Sequence, residues 1–285
     1  MHIAPFDNQN RAIVGADDAL VPLVYFNIVR LHAGQTFDYR LPGYETCIVP
    51  ATGTVTVDSM GQSFADIGNR GADVWDGEPE GVYVPTDTPA RISALTDTEI
   101  FIAGAKFAET LRPFAVRAGD IDGVQYGSDD TKTHRKIKHI LGAACHDRVG
   151  RLLVSELYTV GAGGWSGFPS HKHDTDRRDG PGGEMIETRH DECYNFRFRP
   201  DHGAGLQMLQ RVDNEPGDAF HIVNRSTVLI DKGYHPCCVL PGYEMYYFTI
   251  LGGLTQRPLV QYFQPSHADQ IETIPGIKDM IAKFR

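Results

Sequence analysis

Four side chains in the second half of this chain have the types and spacing to hold a metal ion: His171, His173, Glu192 and His235. The first two sit in the run Pro169-Ser170-His171-Lys172-His173-Asp174. In an extended run alternate side chains share a face, so His171 and His173 point one way and Lys172 the other. A β-scaffold can present two imidazoles to one cation in this manner. A His-x-His pair alone carries little information, because chance pairs are common. Its weight comes from the carboxylate and the third imidazole that follow at strand positions, Glu192 and His235. Imidazole suits zinc, iron, nickel or copper, and a carboxylate shifts the preference toward harder ions such as manganese. The expected cofactor is therefore a divalent metal ion, zinc first, with manganese, iron and nickel as alternatives. Four protein ligands leave one or two exchangeable positions on a five- or six-coordinate ion, where substrate oxygens can bind.

The elements that must position these ligands read as short strands divided by turns. Thirty glycines and seventeen prolines, with few long helical patterns, favour an all-β chain. In the first half, Leu23-Val24-Tyr25-Phe26-Asn27-Ile28-Val29-Arg30-Leu31 and Gly81-Val82-Tyr83-Val84 are strands, and Thr54-Val55-Thr56-Val57-Asp58 alternates polar and apolar. In the second half, Leu152, Val154, Glu156 and Tyr158 mark one face of a strand. Tyr194-Asn195-Phe196-Arg197-Phe198 and Glu244-Met245-Tyr246-Tyr247-Phe248-Thr249-Ile250 are two more. Short strands with a turn signal roughly every ten residues predict a sandwich or barrel. Residues 107–112 are expected to form a helical turn, 128–132 a polar linker and 134–139 a solvated basic edge strand. The tail 274–285 is expected to be a short helix opened by Pro275.

The length of 285 residues exceeds the usual single domain, and the chain divides into halves 1–125 and 126–285. Tyr44-Glu45-Thr46-Cys47 aligns with Asp191-Glu192-Cys193-Tyr194, and the interval from Glu45 to Thr88 equals that from Glu192 to His235. Thr88-Pro89 thus stands where the second half has His235-Pro236. The first half has no histidine at the place of His171 and His173, since it runs through Phe37-Asp38-Tyr39-Arg40. Two copies of one fold are expected. The first is a metal-free structural half that could also form a homo-oligomer contact, and the second carries the site.

A formal charge of −10 argues against nucleic acid or an anionic membrane as partner. It leaves room for a small anion, which needs only a few local cations. The five cysteines, Cys47, Cys145, Cys193, Cys237 and Cys238, form no disulfide framework, and no secretory signal or membrane-length apolar run is visible. A reducing cytoplasm is the expected location.

The order of the ligands resembles the cupin pattern: Gly163-Gly164, then His171 and His173, then a glutamate on a later strand, then Gly233-Tyr234-His235. Cupins usually place the glutamate a few residues past the histidines. Here the charged, glycine-rich segment 174–191 intervenes, as a lid or a solvated excursion. Longer phrases are similar to the family of 5-deoxy-glucuronate isomerases of myo-inositol catabolism. They are Ser170-His171-Lys172-His173-Asp174, Asp191-Glu192-Cys193-Tyr194-Asn195-Phe196-Arg197-Phe198, Gly205-Leu206-Gln207, Lys232-Gly233-Tyr234-His235-Pro236 and Pro241-Gly242-Tyr243-Glu244-Met245-Tyr246-Tyr247. In the first half Val74-Trp75-Asp76-Gly77-Glu78-Pro79 and Val82-Tyr83-Val84-Pro85 match. Departures are Asp231, where the family usually has proline, and Cys193-Tyr194-Asn195, where aromatic residues are commoner. The resemblance implies two tandem cupin (jelly-roll) barrels with short helical connections and a metal site in the second. It also implies conversion of 5-deoxy-D-glucuronate to 5-dehydro-2-deoxy-D-gluconate.

Such an aldose–ketose isomerisation moves a proton between adjacent carbons, so it needs a polarised carbonyl and a base. The expected proton carriers are Glu192 or Tyr247. Strand parity puts Tyr194 on the face of Glu192. Arg135 and Arg211 are the candidates to hold the substrate carboxylate, with Tyr194 and Gln207 as further substrate contacts. His190, His202 and His221 read as surface or loop histidines. Three other readings remain at this point: a related uronate ketol-isomerase, an Fe(II) dioxygenase and a non-catalytic sugar-acid-binding cupin.

Overall fold

Strand Glu244–Gly253 shows how the chain is layered: its two faces are buried in two different cores. Tyr246, Phe248 and Ile250 belong to one cluster of buried residues, Met245, Tyr247 and Leu251 to another. Strands buried on both faces read as nearly continuous apolar runs, which is why this segment is so strongly hydrophobic. The structure, a computed structural model, describes residues 1–284.

The chain is all-β, with one short α-helix and three 3₁₀ turns among the described residues. The second half is built on a seven-stranded antiparallel sheet. Its order is His2–Ile3, Thr227–Ile230, His190–Arg199, Glu244–Gly253, Leu152–Thr159, Arg135–Leu141 and Asp122–Tyr126. A smaller sheet, Gly164–Ser166, Cys237–Val239, Ala204–Leu209 and Asp218–Val223, faces it. The first half is a nine-stranded sheet in which the long strand Tyr44–Ser59 pairs with four neighbours. Each half has its own apolar interior, and a third core joins them. At that junction Phe248 meets Phe101 and Phe26, with ring centroids 4.8 and 6.2 Å apart. The first residues of the chain pair with the second half's sheet, and Asp122–Tyr126 is already that sheet's edge.

The junction also holds buried charge. Arg70 of the first half meets Glu156 of the second, which accepts further hydrogen bonds from Tyr158 (2.8 Å) and Tyr246 (2.9 Å). The face Leu152, Val154, Glu156, Tyr158 is therefore the one turned toward the first half.

Three expectations change. The basic strand Arg135–Leu141 is interior, between Asp122–Tyr126 and Leu152–Thr159, and Arg135, Lys138 and His139 are buried. Residues 107–112 carry no helix; Phe107 extends the ladder through its N–H to the Gly43 carbonyl (2.9 Å). Glu45 does not correspond to Glu192. Its face, with Cys47 and Val49, looks into the junction, whereas Ile48 looks into the first half's own interior. The Glu45 carboxylate accepts from Tyr83 (2.6 Å) and from the backbone N–H groups of Gly150 (2.9 Å) and Leu152 (2.7 Å). A one-residue slip moves a side chain to the opposite face of a strand, so a sequence alignment off by one put a clamp between the halves in the apparent place of Glu192. The C-terminal helix is Ile277–Ala282, entered through Gly276 at φ 71°.

Candidate metal centre

His171 and His173 stand on the rim of the second half's interior, where His171–Lys172 pairs with Tyr262–Phe263. His173 is fixed by its neighbour across the segment 174–191. The His190 N–H donates to the His173 carbonyl (2.8 Å) and the His173 Nδ1–H to the His190 carbonyl (3.0 Å). Glu192 comes from the centre of the seven-stranded sheet, with Thr249 of the next strand donating to its Oε1 (2.7 Å). His235 follows a turn that only glycine fits. Gly233 has φ 97°, and a Cβ there would lie 2.7 Å from the Gln210 carbonyl oxygen. The Gly233 N–H donates to Asp174 (2.9 Å), and the Gly233 carbonyl accepts the His235 Nδ1–H (2.7 Å).

With Nδ1 of His173 and His235 committed as donors, each Nε2 carries a lone pair. Both Nε2 atoms lie 3.2 Å from the same Glu192 oxygen. The three imidazoles bring one nitrogen each within 4.8 Å of one another, and all are buried. Lone pairs from two imidazoles and a carboxylate thus converge, with His171 alongside, and the buried His235 Nε2 has no hydrogen-bond donor. A bound cation would satisfy such a set. The Nδ1–carbonyl bonds are the outer contacts that metal-binding histidines need to fix their tautomer. The residues fit a divalent metal. Burial, with His235 and His173 nearby, holds His171 well below the usual imidazole range and so keeps it neutral. Burial pushes the Glu192 carboxyl up, but His173 and His235 beside it more than offset this and hold it well below the usual carboxylate range.

The cluster opens on a cavity of about 40 Å³. One wall is sheet: Tyr194, Tyr247, Thr249, Leu251, Leu157, Ile137 and Tyr126. The other is the C-terminal segment, through Leu259, Gln261, Phe263, Ile277, Met280 and Phe284. Gln261 donates to the His171 Nε2 (3.0 Å), while its own Oε1 is buried without a partner.

A family model described as the KduI/IolB family matches residues 2–270. The chain belongs to the KduI/IolB family. It is 30% identical over 261 residues to the 5-deoxy-glucuronate isomerase of Halalkalibacterium halodurans, covering 91% of this chain and 92% of the relative. The crystal structure of an IolB-like protein from Salmonella typhimurium LT2 superposes with a TM-score of 0.78 at 29% identity, covering 86% of this chain and 89% of that one. Oxalate decarboxylase of Bacillus subtilis, at 10% identity and TM-score 0.60, shares the fold over 88% of this chain and 77% of its own.

Within this KduI/IolB chain the sequence-derived candidates separate. Tyr194 and Tyr247 line the cavity with ring centroids 4.5 Å apart. Arg135 is buried directly behind Tyr247. Gln207 is not at the cavity wall; its amide donates to the carbonyls of His235 (2.8 Å) and Pro236 (3.2 Å), so it holds the loop bearing a ligand. Arg211 lies outside the cavity, with a side chain 44% exposed beside Asp231. His190 is buried rather than on the surface, and its Nε2 meets the Arg257 carbonyl (3.1 Å). Segment 174–191 forms a small hairpin, Arg177–Arg178 with Met185–Glu187, and none of its residues lines the cavity. Its buried Glu187 accepts from the N–H groups of Asp174 (2.9 Å) and Thr175 (3.2 Å), which ties the hairpin to the rim. Sequence reasoning missed Gln261, Ser166 and the C-terminal wall. The apolar spacing of Ile277, Met280 and Phe284 signals an amphipathic helix but not what it covers.

Proposed function

We propose that this protein is a metal-dependent aldose–ketose isomerase that converts 5-deoxy-D-glucuronate to 5-dehydro-2-deoxy-D-gluconate, its site lying in the second of two cupin barrels. Family membership and the names of its relatives support the activity. The observation that carries the metal is the convergence of two imidazole lone pairs on one Glu192 oxygen, with His171 alongside. His171, His173, Glu192 and His235 would hold the ion, and zinc fits the imidazole-rich set best. A divalent cation there supplies Lewis acidity to a substrate carbonyl and its neighbouring hydroxyl.

The chain's own residues do the rest. Glu192 is the sole carboxylate on the cavity wall among the described residues, and it is ionised and oriented by the Thr249 hydroxyl. It carries the proton between the adjacent carbons. Tyr247 is poorly suited to that role, because burial pushes its phenol far up. Leu157, Leu251 and Leu259 keep water from the reacting carbons. A cavity of about 40 Å³ has room for about three waters and not for a six-carbon acid. The sheet wall is held by ladders of hydrogen bonds, so the C-terminal wall is the one that must yield to admit substrate.

The test is to load purified protein with zinc and follow 5-deoxy-D-glucuronate by NMR. Loss of the aldehyde signal with growth of a ketone is expected, and His235→Ala should lose both metal and turnover while keeping its β-sheet circular dichroism. An unchanged aldehyde in protein holding one equivalent of metal would refute the proposal, as would turnover without metal.

A further inference from the structure

Four arginines are buried among the described residues: Arg70, Arg135, Arg197 and Arg257. Two of the others pair with carboxylates and a third is capped by backbone carbonyls. Arg70 pairs with Glu156 and Arg197 with Glu99, while Arg257 donates to the carbonyls of Leu141, Gly142 and Leu152, each at 2.8 Å. Arg135 differs. It is 1% exposed, its Nε has no partner, and its contacts are long ones to the Trp165 carbonyl (3.3 Å) and the Tyr247 hydroxyl (3.3 Å). Its charge is otherwise faced by the Tyr126 and Tyr247 rings, at 6.0 and 5.8 Å. A guanidinium stays protonated, and burying one without an anion is costly. The folded chain therefore keeps a cation without a counterion behind two residues of the cavity wall, Tyr126 and Tyr247.

The spacing fits one end of a sugar acid. Thr249, which holds Glu192, and Tyr247 share a face of one strand two residues apart, about 6.8 Å along it. That is comparable to the length of a six-carbon chain. The Tyr247 hydroxyl also bonds the Ser166 hydroxyl, so two O–H groups and a guanidinium gather where Tyr247 forms the cavity wall.

Resting on the isomerase reading above, we infer that Arg135, Tyr247 and Ser166 form the subsite for the substrate carboxylate and make the site select sugar acids over neutral sugars. Tyr247 is then an anchor and not a proton carrier.

The experiment uses the full, zinc-loaded chain as wild type, Arg135→Met and Arg135→Lys. It compares kcat/KM for 5-deoxy-D-glucuronate with that for its C6 carboxamide. Arg135→Met should lower kcat/KM for the acid roughly 10- to 100-fold and leave the carboxamide nearly unchanged, with zinc content intact. Arg135→Lys, which keeps the charge without the fork, should fall between. An equal loss on both substrates, or none on the acid, overturns the subsite. Should Arg135→Met not fold, the same ratio in Arg135→Lys decides. Should the wild type turn over neither compound, the isomerase reading fails by itself and melting temperature decides the subsite. A rise on adding 5-deoxy-D-glucuronate to wild type, absent in Arg135→Met, sustains it, and the same response in both overturns it.

Discussion

Replacing Gln207 by leucine separates two roles for this residue, contact with substrate and support of a ligand. The side chain is fully buried, and its amide reaches the carbonyls of His235 (2.8 Å) and Pro236 (3.2 Å). Leucine removes both donors and leaves the carbonyl of a metal-binding histidine idle, while the Pro236 carbonyl keeps the Met208 N–H (2.9 Å). Two net hydrogen bonds at about 0.5–1.5 kcal/mol each amount to about 1–3 kcal/mol. Loss of an outer contact to a metal ligand costs about 10- to 100-fold in affinity, which is about 1.4–2.7 kcal/mol. The two routes agree. Zinc affinity, measured by competition with a chelating dye, should fall by that factor, while kcat and KM at saturating zinc stay near wild type. An unchanged zinc affinity with a raised KM would refute the argument and restore Gln207 as a substrate contact.

Other perturbations probe the remaining parts of the molecule. Burial pushes Glu99 up, but Arg197 and Arg225 overturn this and hold its carboxyl at about 2. A depressed folded value stabilises above the unfolded pKa of about 4.5 and is lost as pH falls toward 2, so Glu99→Gln should cost about 3 kcal/mol at pH 7 and little at pH 2. Urea melts at the two pH values check this, and an equal cost at both would contradict it. Chelating the metal should lower stability by about 2.7 kcal/mol relative to protein held at a hundredfold excess of zinc over its Kd, and zinc-independent melting curves would count against the site. The C-terminal wall is held by a two-residue strand pairing and isolated bonds such as Gln264 N–H to the Ser170 carbonyl (2.8 Å). Its amides should exchange faster than those of Glu244–Gly253 and slow when 5-deoxy-D-glucuronate is bound. Equal protection of the two segments without ligand would mean that another wall opens.

The sequence by itself determined the all-β class, the two apolar faces of the central strands and the ligand types. These depend on neighbours two residues apart or on short phrases. The pairing of His171 with His173 is of this kind, as is the shared face of Glu192 and Tyr194. What only the tertiary structure decided involves residues far apart in the chain. Glu45 belongs to the junction because the strand is set one residue away from the apparent alignment, and a periodicity of two cannot reveal such a shift. His190 is buried because the hairpin between it and His173 closes on itself, and Arg135–Leu141 is interior because Asp122–Tyr126 takes the edge. Arg211 and Arg135 are the same residue type on strands or at their ends. One met Asp231 in solvent and the other was enclosed without an anion. A guanidinium's chemistry is fixed by its type, but its counterion and its exposure to water are fixed by what packs around it.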